Sequence, residues 1–168
     1  MELREAVMVR VLADQAWALV GEAFAAMGTW ATPVVTSTMD APAAPGSVRT
    51  CHIRGFGPVA PGVVKERLAR FDPAQRSLSY EWVEGRPSFI VQAINRWSVH
   101  SLEEGRCAVR VHVTLTLHPM VRPLEPLLRW WMSRDARAVL EELAYRLETG
   151  TPHPRKLAAT VRDAPTQR

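Results

Sequence analysis

The clearest alternation of apolar and polar residues lies within 106–118. Val109, Val111, Val113 and Leu115 occupy every second position, and polar or charged residues mostly separate them. Successive side chains of a strand point to opposite faces, so this pattern predicts a strand with one buried and one solvated face.

Six further segments contain shorter runs of β-branched and aromatic residues. Turn-forming residues, mainly glycine, proline and aspartate, separate most of them. The segments are 5–11, 30–39, 47–54, 63–71, 77–84 and 88–100. Together with the clearest strand, they predict a sheet of six to seven strands.

After the predicted strand at 5–11, the apolar residues follow a helical spacing instead of alternating with polar ones. In 15–27, apolar residues recur at intervals of three and four, which predicts one apolar helical face. Asp14 is the predicted N-cap and Gly28 the predicted end. Gly21 is expected to divide the stretch into two short helices.

The longest helical pattern covers 124–149 and is followed by Gly150 and Pro152, which stop helices. At about 1.5 Å per residue, such a helix is nearly 40 Å long and can cross a whole sheet. Strands in succession followed by a helix favour an α+β fold with an antiparallel sheet. The βαβ alternation of a parallel fold is absent.

The length of 168 residues suits one domain, predicted over 1–150. The net charge of +4 lies mostly in 151–168, which holds four basic residues and one aspartate. We interpret this stretch as a basic, disordered tail. The nearly neutral body argues against a nucleic-acid partner.

The beginning of the chain has charges of both signs and no apolar run typical of a secretory signal. No stretch approaches the roughly 20 apolar residues of a membrane span. We therefore expect a cytoplasmic protein without stable membrane insertion. The sequence does not indicate an oligomeric state.

The two cysteines, Cys51 and Cys107, form no CxxC motif. In a cytoplasmic protein, two reduced and buried thiols are favoured over a disulfide. No spacing of histidine, cysteine and carboxylate residues is typical of a metal site, so we expect neither a metal nor a cofactor.

Several short motifs occur in a recognisable order along the chain. They are Gly46-Ser47-Val48-Arg49, Lys65-Glu66-Arg67-Leu68, Phe71-Asp72 and Arg76-Ser77-Leu78-Ser79-Tyr80. With the aliphatic last strand and the long helix, this order resembles the START/SRPBCC helix-grip superfamily. That group includes lipid-transfer domains, polyketide cyclases and dehydrases, and plant abscisic acid receptors.

The resemblance extends over about 5–149 and implies a curved antiparallel sheet wrapped around a long C-terminal helix. The sheet and helix are expected to enclose an apolar cavity. The alternation of side chains along each strand, and the helical periodicity of the long helix, then predict which side chains line the cavity. The predicted ligand-binding residues are Arg49, Cys51, Ile53, Phe56, Val64, Glu66, Leu68, Tyr80, Trp82, Phe89, Val91, Asn95, Trp97, Val111, Val113, Trp131, Met132 and Val139.

Glu66 is the most informative of these residues, because a carboxylate buried alone is costly. Arg49 is the predicted partner on the neighbouring strand. The pair can be purely structural, or Glu66 can contact a ligand, as the resemblance to the receptors implies, or act as an acid or base. Tyr80 and Asn95 can each bond a ligand or a neighbouring group.

Three further features have a functional and a structural interpretation. The glycine-rich loop 55–62 matches the gating loop of the receptors, but can equally be a plain hairpin. His52 and His112 are predicted on the wet, convex face, where histidine is usually solvated rather than catalytic. Trp130 can mark a contact surface on the long helix.

The leading hypothesis is a binder of a small hydrophobic molecule such as a lipid, polyketide or isoprenoid. Ligand cavities are usually apolar with few polar groups, as predicted here. The alternative is a polyketide cyclase or dehydrase, with Arg49 stabilising an enolate and Glu66 or Tyr80 moving the proton. The sequence leaves open whether the protein is an enzyme.

Overall fold

A seven-stranded antiparallel sheet forms the body of the protein in the computed structural model, which describes residues 1–163. The strands lie in the order β1-β7-β6-β5-β4-β3-β2. Their bounds are β1 Glu2–Val9, β2 Val34–Met39, β3 Val48–Ile53, β4 Gly62–Asp72, β5 Ser77–Glu84, β6 Ile90–Ser101 and β7 Cys107–Leu117. The predicted antiparallel sheet is confirmed.

Short helical turns connect β1 to β2. They comprise helix α1, Ala13–Trp17, a π-turn, Ala18–Glu22, a 3₁₀ turn, Phe24–Ala26, and helix α2, Met27–Trp30. A Cβ atom at Gly21 would lie 2.4 Å from the Trp17 ring, so glycine lets the indole lie against the π-turn.

Two predicted helix ends in this region are wrong. Leu12, not Asp14, is the N-cap of α1, and its N–H donates to the Gln15 side chain at 3.0 Å. Asp14 instead forms an ion pair with Arg76. Gly28 lies inside α2, where the absence of a side chain allows the helix to approach the backbone of β2 closely.

The long helix α3, Glu125–Thr149, crosses the concave side of the sheet and packs along β1. It has 25 residues, and Gly150 ends it with φ 74°, a left-handed conformation that glycine adopts without strain. The predicted helix is confirmed. Among residues 1–163, no helix is both long and apolar enough to cross a membrane.

The predicted disordered tail is wrong for part of its length, because residues Pro154–Asp163 form helix α4. Lys156 is buried, and its ammonium donates to the Val34 carbonyl at 2.6 Å. Arg54 forms an ion pair with Asp163. These contacts anchor α4 to the start of β2 and the end of β3. The rest of the predicted tail, 164–168, lies outside the described residues.

Burial, together with the smaller effect of the Arg54 charge, lowers the pKa of Lys156 from 10.5 to about 8. The unfolded chain therefore takes up this proton at a higher pH than the folded protein does. The stability contributed by Lys156 should rise as the pH increases from about 8 to 10.5.

A Lys156→Met variant tests this dependence by urea denaturation. The difference in unfolding free energy between the protein and the variant should increase across that pH window. Cysteine and tyrosine side chains also titrate in this range and change the stability in the opposite direction. Both proteins contain these side chains, so their contribution cancels in the difference. A difference that stays constant with pH contradicts the prediction.

Candidate ligand cavity

An internal cavity of about 130 Å³ lies between the concave face of the sheet and α3. Most of the residues predicted to line it do so, from β3 through β7 and from the helix. They are Cys51, Ile53, Phe56, Val64, Glu66, Tyr80, Trp82, Asn95, Trp97, Val111, Val113, Met132 and Val139. Whether these side chains contact a ligand stays a prediction.

Strict alternation misplaced two residues, Val91 on β6 and Phe89 just before it. The register between β6 and β7 shifts between Ile90 and Gln92, so one residue is inserted there. As a result Val91 points outward, with 48% of its surface exposed, and Ile90 is buried instead. Phe89 precedes the strand and packs at the edge of the core without lining the cavity.

Three other predicted residues lie beside the cavity rather than in its wall. Leu68 is buried within the core, and Arg49 lies behind the wall against a smaller pocket. Trp131 packs at the edge of the core near Gly57. On α3 the lining residues are 132, 135, 136 and 139, a single helical face that does not include 131.

Several lining residues were not among the predicted set. Apart from Ala93 and Leu115, which lie on the predicted inward faces of β6 and β7, they are Leu3, Met27, Pro33, Val34, Asp135 and Ala136. For the two helical residues a signal was present, because their spacing from Met132 and Val139 is that of one helical face. For Leu3 and Met27 the signal was weak, since β1 begins earlier than its β-branched run and α2 has no regular pattern.

Arg49 and Glu66 face each other directly across β3 and β4 and form a buried ion pair. Glu66 Oε2 accepts hydrogen bonds from Arg49 Nε at 2.8 Å and Nη2 at 2.5 Å, and Oε1 accepts one from Trp82 Nε1 at 2.9 Å. Both oxygens of the carboxylate therefore have protein partners, although Glu66 borders the cavity.

The Arg49 guanidinium is enclosed by protein on every side. Its third nitrogen, Nη1, donates to the Phe24 carbonyl at 2.8 Å, and the group lies 3.6 Å from the centre of the Phe24 ring. Burial lowers the pKa of Arg49, but the Glu66 carboxylate more than offsets this and holds it above its ordinary value. Arg49 does not line the main cavity, which argues against the predicted contact with an enolate there.

Tyr80 and Cys51 line the cavity in their neutral forms. Burial raises the pKa of the Tyr80 phenol well above its ordinary value, with the Glu66 charge adding to the effect. Burial also raises the pKa of the Cys51 thiol to about 11. At neutral pH neither group is a base, and both cysteines are free and buried, as expected.

The loop 55–62 forms a tight turn in which Phe56 and Val59 bond to each other through their backbones. Val59 is buried and the Phe56 ring meets the Trp82 ring edge-on, so the loop packs over the cavity. Gly57 has φ 49°, a left-handed conformation. Movement of this loop as a lid stays a prediction.

Asp135 contributes a carboxylate to the cavity wall from α3. Its Oδ1 atom lies 3.6 Å from Nη2 of Arg134. Its Oδ2 atom is buried and has no hydrogen-bond partner among the residues that the structure describes. A Cβ atom at Gly57 would lie 3.1 Å from this oxygen, so the loop passes directly over Asp135.

The remaining candidates lie away from the cavity. His52 is exposed, and His112 is on the outer face, with Nε2 3.4 Å from Glu2. Trp130 is 57% exposed and lies 5.6 Å from the Arg134 guanidinium, and its role as a contact surface stays a prediction. Within 1–163, no cluster of three potential metal-ligating side chains occurs.

The family described as "Polyketide cyclase / dehydrase and lipid transport" matches residues 1–148. The chain belongs to this family. The short sequence motifs predicted a superfamily that includes polyketide cyclases, dehydrases and lipid-transfer domains. The family match confirms this prediction. No curated protein sequence matches the chain.

Solved structures share the fold of this family member at low sequence identity. The Zhui aromatase/cyclase from Streptomyces sp. R1128 is 14% identical with a TM-score of 0.73, covering 91% of this chain and 99% of that one. The di-domain ARO/CYC BexL is 19% identical with a TM-score of 0.67, covering 86% of this chain and 45% of that one.

A third similar structure is norcoclaurine synthase from Thalictrum flavum, 16% identical with a TM-score of 0.68. The match covers 88% of this chain and 92% of that one. At these identities the likeness shows the helix-grip fold alone.

Proposed function

We propose that the protein binds a small, largely apolar molecule in the cavity between the sheet and α3. The main support for this proposal is the cavity wall, which consists almost entirely of aliphatic, aromatic and sulfur-containing side chains. An apolar surface of this kind releases water when an apolar molecule enters, which favours binding by roughly 25 cal/mol per Å² of buried area.

The volume narrows the class of molecule. The cavity volume of about 130 Å³ is close to that of a cavity of about 150 Å³ that binds benzene inside another protein. It is smaller than the roughly 300 Å³ at which drug-sized pockets begin. We propose that a compact apolar group, such as one ring of a polyketide or an isoprenoid unit, fills the cavity. A larger lipid requires the wall to open.

Cavity filling tests this proposal. Ala136 lines the cavity, so an Ala136→Leu variant should occupy space needed by the ligand and weaken binding of toluene at least tenfold, measured by NMR titration. Ala138→Leu is the matched control, because Ala138 lies beside Arg155 on the outer side of the same helix. A solvent extract of the purified protein should also contain an apolar compound by mass spectrometry.

Equal toluene affinity in the protein and both variants would mean that the cavity is not the binding site. Failure of toluene to bind at all, together with an extract free of apolar compounds, would overturn the proposal. Circular dichroism of both variants checks that the helix content is unchanged.

A second candidate is polyketide cyclisation or dehydration, in which the cavity serves as an active site. It is motivated by the names of the family and of two similar structures, and by the Asp135 carboxylate in an otherwise apolar wall. Such a cavity holds a flexible chain in a reactive geometry while a carboxylate accepts a proton. Its test is cyclisation of a linear poly-β-ketone thioester, followed by absorbance, in the protein and in Ala136→Leu.

A further inference from the structure

Among residues 1–163, the Oδ2 atom of Asp135 is buried and has no hydrogen-bond partner, although the side chain as a whole is 18% exposed. The two fully buried carboxylates of this part of the chain, Glu66 and Glu142, both have partners. Glu66 is bound by Arg49 and Trp82, and Glu142 accepts from the Thr32 N–H at 2.7 Å. A buried polar atom left without a hydrogen bond is destabilising, and more so if it is charged. Such an atom therefore needs a partner that the described chain does not supply.

The position of this oxygen limits what the partner can be. Asp135 belongs to the cavity wall, on the same helical face as Met132, Ala136 and Val139. Gly57 covers the oxygen from the loop side, where a side chain would meet it at 3.1 Å. Asp135 also borders the cavity, and the other cavity-lining residues on α3, Met132, Ala136 and Val139, are apolar.

We propose that Asp135 selects ligands that carry a hydrogen-bond donor, a hydroxyl or an ammonium group, next to a compact apolar ring. The ring fills the apolar space and the donor bonds to Oδ2. This inference rests on the proposed function, because it assigns a polar subsite within the same cavity. Hydrogen bonds to charged groups are stronger than those between neutral groups, so one such contact has a measurable effect.

The sheet offers no competing carboxylate at this end of the cavity. Glu66 has both oxygens occupied, and the Tyr80 hydroxyl keeps its proton at neutral pH because burial raises its pKa. Asn95, opposite Tyr80 in the β5–β6 register, can bond a second polar group of the ligand. Asp135 is therefore the acceptor that distinguishes a donor-bearing ring from a purely apolar one.

The experiment compares probes of matched shape, phenol with toluene and benzylamine with ethylbenzene. Affinities are measured by NMR titration for the protein, for Asp135→Leu and for the control Glu141→Gln, an exposed carboxylate on the same helix. A hydrogen bond to a charged group is worth about 1.5–3 kcal/mol, which corresponds to about tenfold or more in affinity.

We expect the affinity ratio of phenol to toluene, or of benzylamine to ethylbenzene, to fall at least tenfold in Asp135→Leu and to stay constant in Glu141→Gln. The pair that responds identifies the donor as hydroxyl or ammonium. Retained toluene binding in Asp135→Leu shows that the variant folds with an intact cavity.

Two outcomes would overturn the inference, and they are distinguishable. If toluene binds but both ratios are unchanged in Asp135→Leu, the subsite is absent while the proposed function stands. If no probe binds the unaltered protein, the proposed function fails and the subsite fails with it.

Discussion

Replacing Glu66 by glutamine should lower the free energy of unfolding by about 3–5 kcal/mol, because it leaves the Arg49 charge buried without a counter-charge. The side chains of the pair are only 2% and 8% exposed. A glutamine also presents an amide N–H₂ where the carboxylate presents an acceptor. One of the two donors, from Arg49 or Trp82, then loses its partner.

The measurement is urea denaturation, with Glu81→Gln as the control. Glu81 accepts from Arg67 at 2.7 Å on the exposed face of the sheet, and such surface pairs contribute about 1 kcal/mol or less. Adding Arg49→Met to Glu66→Gln should recover part of the loss, since no buried charge remains. Equal losses for Glu66→Gln and Glu81→Gln would show that the buried ion pair contributes no more to the free energy of unfolding than the exposed one.

This outcome also bears on the role of Glu66. If Glu66→Gln lowers the stability strongly and Arg49→Met partly restores it, the ion pair has a structural role in the wall of the cavity. Any loss of ligand binding in Glu66→Gln must then be judged at temperatures where the variant is still folded.

The second large effect is expected for Gly85→Ala, at the turn between β5 and β6. A Cβ atom there would lie 2.0 Å from the Val63 carbonyl oxygen and 2.9 Å from Val64 Cα, and the backbone has φ 77°. The left-handed conformation costs a non-glycine residue roughly 1–2 kcal/mol. Displacing the backbone of β4 adds roughly 1–3 kcal/mol, so we expect a total loss of about 3 kcal/mol.

Gly105→Ala is the matched control, in the turn between β6 and β7. Gly105 has φ 70°, but nothing lies within 4 Å of a Cβ atom built on it. Only the backbone strain applies, so the expected loss is about 1 kcal/mol. Thermal denaturation of both variants measures the difference. Equal losses would contradict the proposed contact between Gly85 and β4.

Gly85→Ala should also affect the cavity, because Val64 lines it. A shift of β4 moves this side chain and its neighbour Glu66. We therefore expect weaker toluene binding in Gly85→Ala than in Gly105→Ala, in the same NMR titration as above.

The antiparallel sheet and the long helix could be predicted because they depend on periodicity, which single residues do not disturb. The alternation through Val109 to Leu117 places β7 correctly, and Gly150 ends α3 where expected. The buried pair could be predicted because Arg49 and Glu66 share a face on adjacent strands.

What could not be predicted depends on tertiary contacts or on local irregularities. A bulge has no composition signal, so Val91 was assigned to the wrong face. The helix α4 has a polar sequence and is anchored by distant groups, among them Arg54 and the Val34 carbonyl. Asp135 was missed although it shares a helical face with Met132 and Val139, because an aspartate within a helix is most often solvated and the loop that covers it was not known.

The order of the strands has a consequence for how the chain acquires its shape. β1 joins the sheet only through β7, and Leu3 pairs with Val113, more than a hundred positions later in the chain. The Met1 amino group is likewise bound to the Leu115 carbonyl. Contacts between such distant segments require the closure of a long loop, which slows folding.

During synthesis the first strand therefore has no neighbour in the sheet until β7 has left the ribosome, and the α3 wall follows later still. A nascent chain that ends before β7 can form hairpins but not an enclosed cavity. The proposed ligand site is thus assembled only after both β7 and α3 have been synthesised, and a ligand that occupies it can stabilise the chain only from that point onward.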